Sequence, residues 1–178
     1  MKSILLTGGA RSGKSKKAQE LAIKASGPVL VVATATAGDE EMQERIEMHR
    51  KSRPKEWKTL EVTMQVGSQI AKNIGDAKTV IVDCITLLVN NIFEHFGENA
   101  ESKEVEKAVT TEIEQLINCM KKSRANFIIV TNEVGLGIVP GDKVSRLYRD
   151  LLGKANQMLA ANVDEVYFMV AGIPLRIE

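Results

Sequence analysis

The sequence predicts an α/β protein built on one open, mostly parallel β-sheet with helices packed against it. Three observations carry that prediction. Short β-branched runs recur along the chain, helical apolar spacing fills the intervals between them, and the strand-like runs do not alternate apolar with polar residues. A strand covered on both faces is apolar on both, so unbroken runs of this kind belong to parallel sheets sandwiched by helices.

Taken in order, residues 3–7, 28–33, 78–83, 126–131 and 164–170 are the strand candidates. Between them, Val105, Val109, Ile113, Leu116, Ile117 and Met120 fall three and four residues apart, as do Leu147, Leu151, Leu152, Ala155, Met158 and Leu159. Both sets read as core-facing helix stripes. The charged stretch "GENAESKEVEK" reads as a solvated loop entering the first of these helices. The closing "VYFMVAGIPLRIE" reads as a hairpin, which sets an antiparallel strand at one edge of the sheet. No repeat, low-complexity tract or linker interrupts the pattern, so residues 1–178 are expected to form a single domain.

Composition removes several function classes. Lys and Arg number 24 against 23 Asp and Glu, which gives no general field for nucleic acid or an acidic membrane. An aromatic content of 4% also argues against single-strand binding by base stacking. The most apolar stretch, "TVIVDCITLLVNNIF", is interrupted by Asp83, Asn90 and Asn91, so membrane insertion is not expected and a cytoplasmic protein is. The N-terminal apolar run is too short for a signal peptide. Cys84, read as lying in an apolar strand, and Cys119, in a helix, have no metal-ligand or disulfide spacing.

The segment "GGARSGKS", residues 8–15, fits the phosphate-loop pattern G-x-x-x-x-G-K-[ST]. Chance supplies such a match in roughly one chain in a hundred of this length. Its setting tightens the assignment, because it follows the strand "SILLT" directly and opens a helix near Lys14. Glycines let backbone N–H groups turn inward, and the helix N-terminus adds partial positive charge. Lys14 is expected on the β- and γ-phosphates, with the Ser15 hydroxyl on Mg²⁺. A partner carboxylate for the metal should stand at the end of another strand, where Asp83 closes "TVIVD". Glu133, in "IIVTNE", occupies a similar place and is a candidate general base or a loop cap. Both acids and the turn "ATATAG" fall on the ligand-binding edge of such a sheet.

His49 lies in the polar helical stretch "DEEMQERIEMHRKSRP", with Met42, Arg45, Ile46 and Arg53 on the same side at helical spacing. A histidine so placed is commonly a packed residue. Its basic neighbours Arg45, Arg50, Lys51 and Arg53 instead suit a polyphosphate substrate, and make a nucleophilic role for it worth testing. His95, in "FEHFGEN", lacks such company.

The segments "ILLTGGARSGKS", "RIEMHRKSRPKEWKTLE", "VIVDCITLLVNN", "VTNEVGLGIVP" and "VDEVYFMVAGIPLRI" together resemble the bifunctional adenosylcobinamide kinase/adenosylcobinamide-phosphate guanylyltransferases of cobalamin biosynthesis. The resemblance covers essentially the whole chain, and H-x-x-x-R-P-x-x-W and "TNEVGLGIVP" are its most restrictive parts. It implies a RecA-like P-loop sheet, a homotrimer, and two reactions on one small-molecule substrate. The adenosylcobinamide hydroxyl is phosphorylated, and GMP then passes from GTP to the new phosphate through a guanylylated histidine. His49 matches that histidine. The implied nucleotide contacts are Gly8, Gly9, Ala10, Arg11, Ser12, Gly13, Lys14, Ser15, Ala33, Thr34, Ala35, Arg50, Lys51, Ser52, Arg53, Glu61 and Asp83. ATP or GTP is the implied phosphate donor. Two other readings stay open at this point: a P-loop small-molecule kinase in which His49 only helps to bind substrate, and a RecA-type nucleotide-driven module.

Overall fold

A computed structural model describes residues 1–36, 38, 40–97 and 101–178, with the side chains at 41, 42 and 45 also outside the described set. Residues 98–100, part of the stretch expected to be a solvated loop, and residue 37 of the "ATATAG" turn lie outside the described residues.

The expected runs form the strands β1 (Ser3–Gly8), β2 (Val29–Ala33), β4 (Thr79–Asp83), β5 (Asn126–Val130) and β6 (Glu165–Val170). Two further strands, β3 (Lys58–Glu61) and β7 (Ile173–Arg176), complete one sheet in the order β3-β2-β4-β5-β1-β6-β7. Every neighbouring pair is parallel except β6 with β7, the terminal hairpin. The helices are α1 (Lys14–Ala25), α2 (Glu40–Lys51), α3 (Val66–Asn73), α4 (Ile85–Phe96), α5 (Ser102–Lys122) and α6 (Lys143–Ala160).

Alternation along each strand divides the core into two layers. Leu5, Leu30, Val32, Val80, Val82, Phe127 and Ile129 face one side, where residues of α3, α4, α5 and α6 close over them. Ile4, Leu6, Val29, Val31, Ile81, Ile128 and Val130 face the other side, where Ala18 and Ala22 of α1 pack. Both faces are apolar because both are covered, which is why the runs are unbroken in sequence. Each fully buried aliphatic side chain contributes about 1.5–3 kcal/mol. The predicted stripes are core: Val109, Ile113 and Leu116 of α5 and Leu152, Ala155 and Leu159 of α6 are almost wholly buried.

Cys84 corrects the expected strand boundary. It follows β4 in extended conformation and stands at the N-cap of α4. The apolar run reads as continuous because a buried strand passes directly into a buried helix. Helix α3 starts at Gln65, a non-glycine residue in left-handed conformation (φ 56°). That start is held from a distance: Glu112 of α5 accepts the N–H groups of Gln65 at 2.9 Å and Val66 at 2.7 Å. A carboxylate at a helix N-terminus satisfies orphan donors and complements the helix dipole.

Register places the ligand-binding edge. Glu61 of β3 is paired with Ala33 of β2, Ala33 with Asp83 of β4, and Asp83 with Val130 of β5. The row Glu61–Ala33–Asp83 thus runs across the carboxyl ends of three strands. By strand alternation it continues the face on which α1 packs. Strand β5 separates the acid-bearing β4 from β1, which leads into the phosphate loop.

Candidate active site

The loop from Gly8 to Gly13 joins β1 to α1, and two of its glycines have specific reasons to be glycine. Gly8 adopts φ 142°, and a Cβ there would stand 2.5 Å from the Met169 carbonyl oxygen of β6. Gly13 is the left-handed N-cap of α1 (φ 93°, ψ 10°), and a Cβ on it would meet Gly172 Cα at 3.2 Å. The turn between β6 and β7 backs the loop directly, since Gly172 N–H donates to the Ser12 carbonyl at 3.0 Å. Arg11 is also left-handed, at φ 56°. No side chain caps α1, so its first N–H groups are directed to the loop, where an anion is the natural acceptor. Lys14 is buried, and its Nζ donates to the carbonyl oxygens of Gly8 at 3.0 Å and Gly9 at 2.6 Å.

Beside the first turn of α1 is a cavity of about 360 Å³, which Ser15 lines and residues 8–14 do not. It is lined by Ser15 of α1, by Ala33, Glu61 and Asp83 from the strand ends, by Ala35, by His49 and Arg50 from the last turn of α2, and by Arg53 just beyond it. Helix α2 therefore forms one wall and the carboxyl edge of the sheet the other. The expected helix side is present where it is described: Ile46, His49 and Arg53 all face the cavity, while the side chains of Met42 and Arg45 lie outside the described residues. Arg50 pairs with Glu61 at 2.6 Å, an exposed ion pair of the kind worth at most about 1 kcal/mol. Burial lowers the pKa of the Arg53 guanidinium and Arg50 adds to that, against the raising effect of Asp83 and Glu61. The walls thus offer two guanidinium groups opposite two carboxylates.

Several expected contacts lie elsewhere. Lys51 projects into solvent and pairs with Glu47 at 3.7 Å. Ser52 donates its hydroxyl to the His49 carbonyl at 2.9 Å and accepts from Gln19 of α1 at 3.3 Å, which ties the end of α2 to α1. Thr34 is fully buried. Its Oγ1 donates to the Cys84 carbonyl at 2.7 Å and accepts from the Cys84 N–H at 2.9 Å, fixing the backbone that follows Asp83. The Asp83–Cys84 peptide bond is cis. Glu133 donates its N–H to the Gly8 carbonyl at 3.1 Å, while its carboxylate accepts from the Gly135 N–H, as a loop cap does.

The cavity also holds residues that sequence reasoning did not single out, among them Gln43, Glu47, Thr86 and Asn132. Asn132 adjoins Glu133 in "TNEVG", and an acid simply draws attention ahead of an amide. Thr86 had no signal, because its place depends on the turn from β4 into α4. For a divalent cation, the Ser15 hydroxyl and the Asp83 carboxylate line one cavity and are the hard oxygen donors that Mg²⁺ takes beside phosphate. Among the described residues no cluster of three or more His, Cys, Asp or Glu side chains could hold a metal by itself.

Beyond this geometry, the family described as cobinamide kinase / cobinamide phosphate guanyltransferase matches residues 4–177. The chain belongs to that family. Its relatives include the bifunctional adenosylcobalamin biosynthesis protein CobU of Escherichia coli (strain K12), 41% identical over 98% of this chain and 99% of the relative. The protein of the same name from Salmonella typhimurium is 40% identical over the same shares. The bifunctional adenosylcobalamin biosynthesis protein CobP of Pseudomonas aeruginosa is 37% identical over 96% of this chain and 94% of the relative. The cobinamide kinase/guanyltransferase match takes in the phosphate loop, α2 and the terminal hairpin alike, so it covers every element that builds the cavity.

Proposed function

We propose that this chain phosphorylates the side-chain hydroxyl of adenosylcobinamide and then joins GMP to the new phosphate, using His49 as the GMP carrier. The observation that carries the proposal is the placement of His49 on the same cavity as Ser15 and Asp83. A nucleophile, a hydroxyl for the metal and a carboxylate for the metal thereby surround one volume.

In the first reaction the substrate hydroxyl oxygen bonds to the γ-phosphorus and the β–γ bridging oxygen leaves with the nucleoside diphosphate. The hydroxyl proton is released. Such transfers depend on positioning and charge stabilisation. Lys14, now held by loop carbonyls, would exchange them for phosphate oxygens. Mg²⁺ between Ser15 and Asp83 would offset charge on the phosphates. Glu133, as general base, would first have to release Gly135. In the second reaction an imidazole nitrogen of His49 bonds to the α-phosphorus of GTP, the bond to the α–β bridging oxygen breaks, and pyrophosphate departs. Loss of the ring proton leaves a phosphoramidate. A phosphate oxygen of the phosphorylated substrate then attacks the same phosphorus, the P–N bond breaks, and adenosylcobinamide-GDP forms. Division into two displacements is the general benefit of a covalent carrier. Arg50 and Arg53 are suited to phosphate oxygens through their planar donor forks.

The same reading makes Gly8–Ser15, Ala33, Ala35, Arg50, Arg53, Glu61 and Asp83 the nucleotide contacts. The resemblance implies Thr34, Lys51 and Ser52 as contacts as well, though none of them lines the cavity. A homotrimer is proposed on the family resemblance alone. Among the described residues no helix is long and apolar enough to cross a membrane.

Incubation with α-³²P-GTP and Mg²⁺ should label the wild-type protein through an acid-labile, base-stable bond, and His49→Ala should remain unlabelled while still binding nucleotide. An unlabelled wild-type protein that phosphorylates cobinamide would refute the histidine carrier and leave the plain kinase reading.

A further inference from the structure

We propose that Asn132 recognises the terminal phosphate, its carboxamide donating to a γ-phosphate oxygen of the nucleotide held by the 8–15 loop. The inference rests on the nucleotide site proposed above.

The backbone around Asn132 is held on every side. Thr131 and Glu133 donate their N–H groups to the carbonyls of Leu6 at 3.0 Å and Gly8 at 3.1 Å, so the segment runs beside β1 into the phosphate loop. Asn132 turns the other way: its N–H donates to Thr86 Oγ1 at 2.8 Å and its carbonyl accepts from Asn156 Nδ2 at 3.1 Å. Asn156 in turn accepts from the Thr131 hydroxyl at 2.7 Å, and Tyr148 donates to the Thr86 carbonyl at 3.0 Å. Helix α6 thus fixes both Thr131–Asn132 and Thr86 from behind. The carboxamide of Asn132 takes no part in this network. It makes no hydrogen bond to any described residue and lines the cavity with Ser15 and Asp83. A half-buried amide on a fixed backbone, with all four of its hydrogen-bonding sites unused by the described residues, is poised for a ligand.

Sheet geometry says which part of the ligand. Strand β5 lies between β1 and β4. Adjacent strands are about 4.8 Å apart, so the phosphate loop and Asp83 stand roughly 10 Å apart, with the end of β5 midway. A diphosphate held by the loop ends short of that midpoint. A third phosphate would extend over it, toward the cavity that Ser15, Asp83 and Asn132 line. Asn132 therefore distinguishes a triphosphate from the diphosphate product.

The test compares calorimetric affinities for guanosine β,γ-imidotriphosphate and GDP, each with Mg²⁺, and for the matching adenosine pair. The wild type should favour the triphosphate. Asn132→Ala should weaken the triphosphate analogue about ten- to a hundredfold, the range expected for one hydrogen bond to a charged group, and change the diphosphate less than about twofold. Asn132→Asp should weaken the triphosphate further, since a carboxylate would face phosphate. Unaltered diphosphate binding in the same protein shows that the loop is intact. Triphosphate affinity within twofold of wild type in Asn132→Ala, or equal weakening of both nucleotides, would overturn the inference. A wild-type protein that binds neither nucleotide would instead refute the proposed nucleotide site, and this reading with it.

Discussion

Replacing Thr34 by valine decides whether that residue is a nucleotide contact, as the family resemblance implies, or a support for the strand end that carries Asp83. The substitution keeps the shape and removes one hydroxyl. That hydroxyl donates to the Cys84 carbonyl at 2.7 Å and accepts from the Cys84 N–H at 2.9 Å, in a residue with no solvent exposure. The Cys84 N–H would lose its acceptor, while the Cys84 carbonyl would keep the Leu88 N–H at 3.2 Å. One orphaned N–H costs about 1–3 kcal/mol, so Thr34→Val should destabilise by about 1–3 kcal/mol. For a chain of this size a loss of 1 kcal/mol lowers Tm by about 2–4 °C, which gives a fall of roughly 2–12 °C. Thr34→Ser keeps the hydroxyl and gives up one buried methyl, worth about 1 kcal/mol. The assay is thermal unfolding followed by circular dichroism, with nucleotide affinity measured below the transition. The reasoning is refuted if Thr34→Val melts within 2 °C of wild type, on the scale of about 2–4 °C per kcal/mol, while nucleotide affinity falls more than about tenfold. That pattern would mean the hydroxyl serves the ligand and the backbone does without it.

Two other outcomes follow from groups described above. Glu112→Ala removes the acceptor of the Gln65 and Val66 N–H groups and should cost about 3–5 kcal/mol, with Glu112→Gln at about half of that; urea midpoints measure both, and a loss under about 1 kcal/mol for the alanine variant would show that α3 needs no cap from α5. Burial, with the Asp83 charge adding to it, pushes the Cys84 thiol up to about 11. A raised thiol pKa keeps the group neutral below that value, so at pH 8 only about one molecule in a thousand carries the thiolate that reacts. Iodoacetamide should therefore modify Cys84 about a hundredfold more slowly than a free cysteine at pH 8, the rate rising about tenfold per pH unit up to that value. Peptide mass spectrometry follows the site, and modification near the free-cysteine rate would contradict the raised thiol pKa.

The sheet was legible where chemistry is local. A strand buried on both faces needs apolar residues throughout, so β1, β2, β4, β5 and β6 announce themselves. The phosphate loop is equally plain, because glycines, Lys14 and Ser15 have to be contiguous. What escaped depends on partners distant in sequence. Strand β3, "KTLE", is a mostly exposed edge strand and has no apolar run to betray it. Helix α3 is short and relies on Glu112 for its start. The bonds of Thr34 to Cys84 were not legible, since Cys84 stands beyond the end of another strand. The histidine was legible through its basic company, and the cavity gathers Arg50 and Arg53 with it, though not Lys51. Asn132 depends on the strand order, which no local pattern encodes.

The contact between the terminal hairpin and the phosphate loop has a consequence for how this enzyme comes to be made. Gly172 donates to Ser12 and lies against Gly13, while Met169 closes over Gly8. The loop is synthesised before β2 to β5 and α6, yet its backing emerges only after them. A nascent chain or proteolytic fragment ending before residue 169 would carry the complete motif without the surface that shapes it. Nucleotide should accordingly offer little help to an incomplete chain, and competence to bind it should arrive late, as a single event.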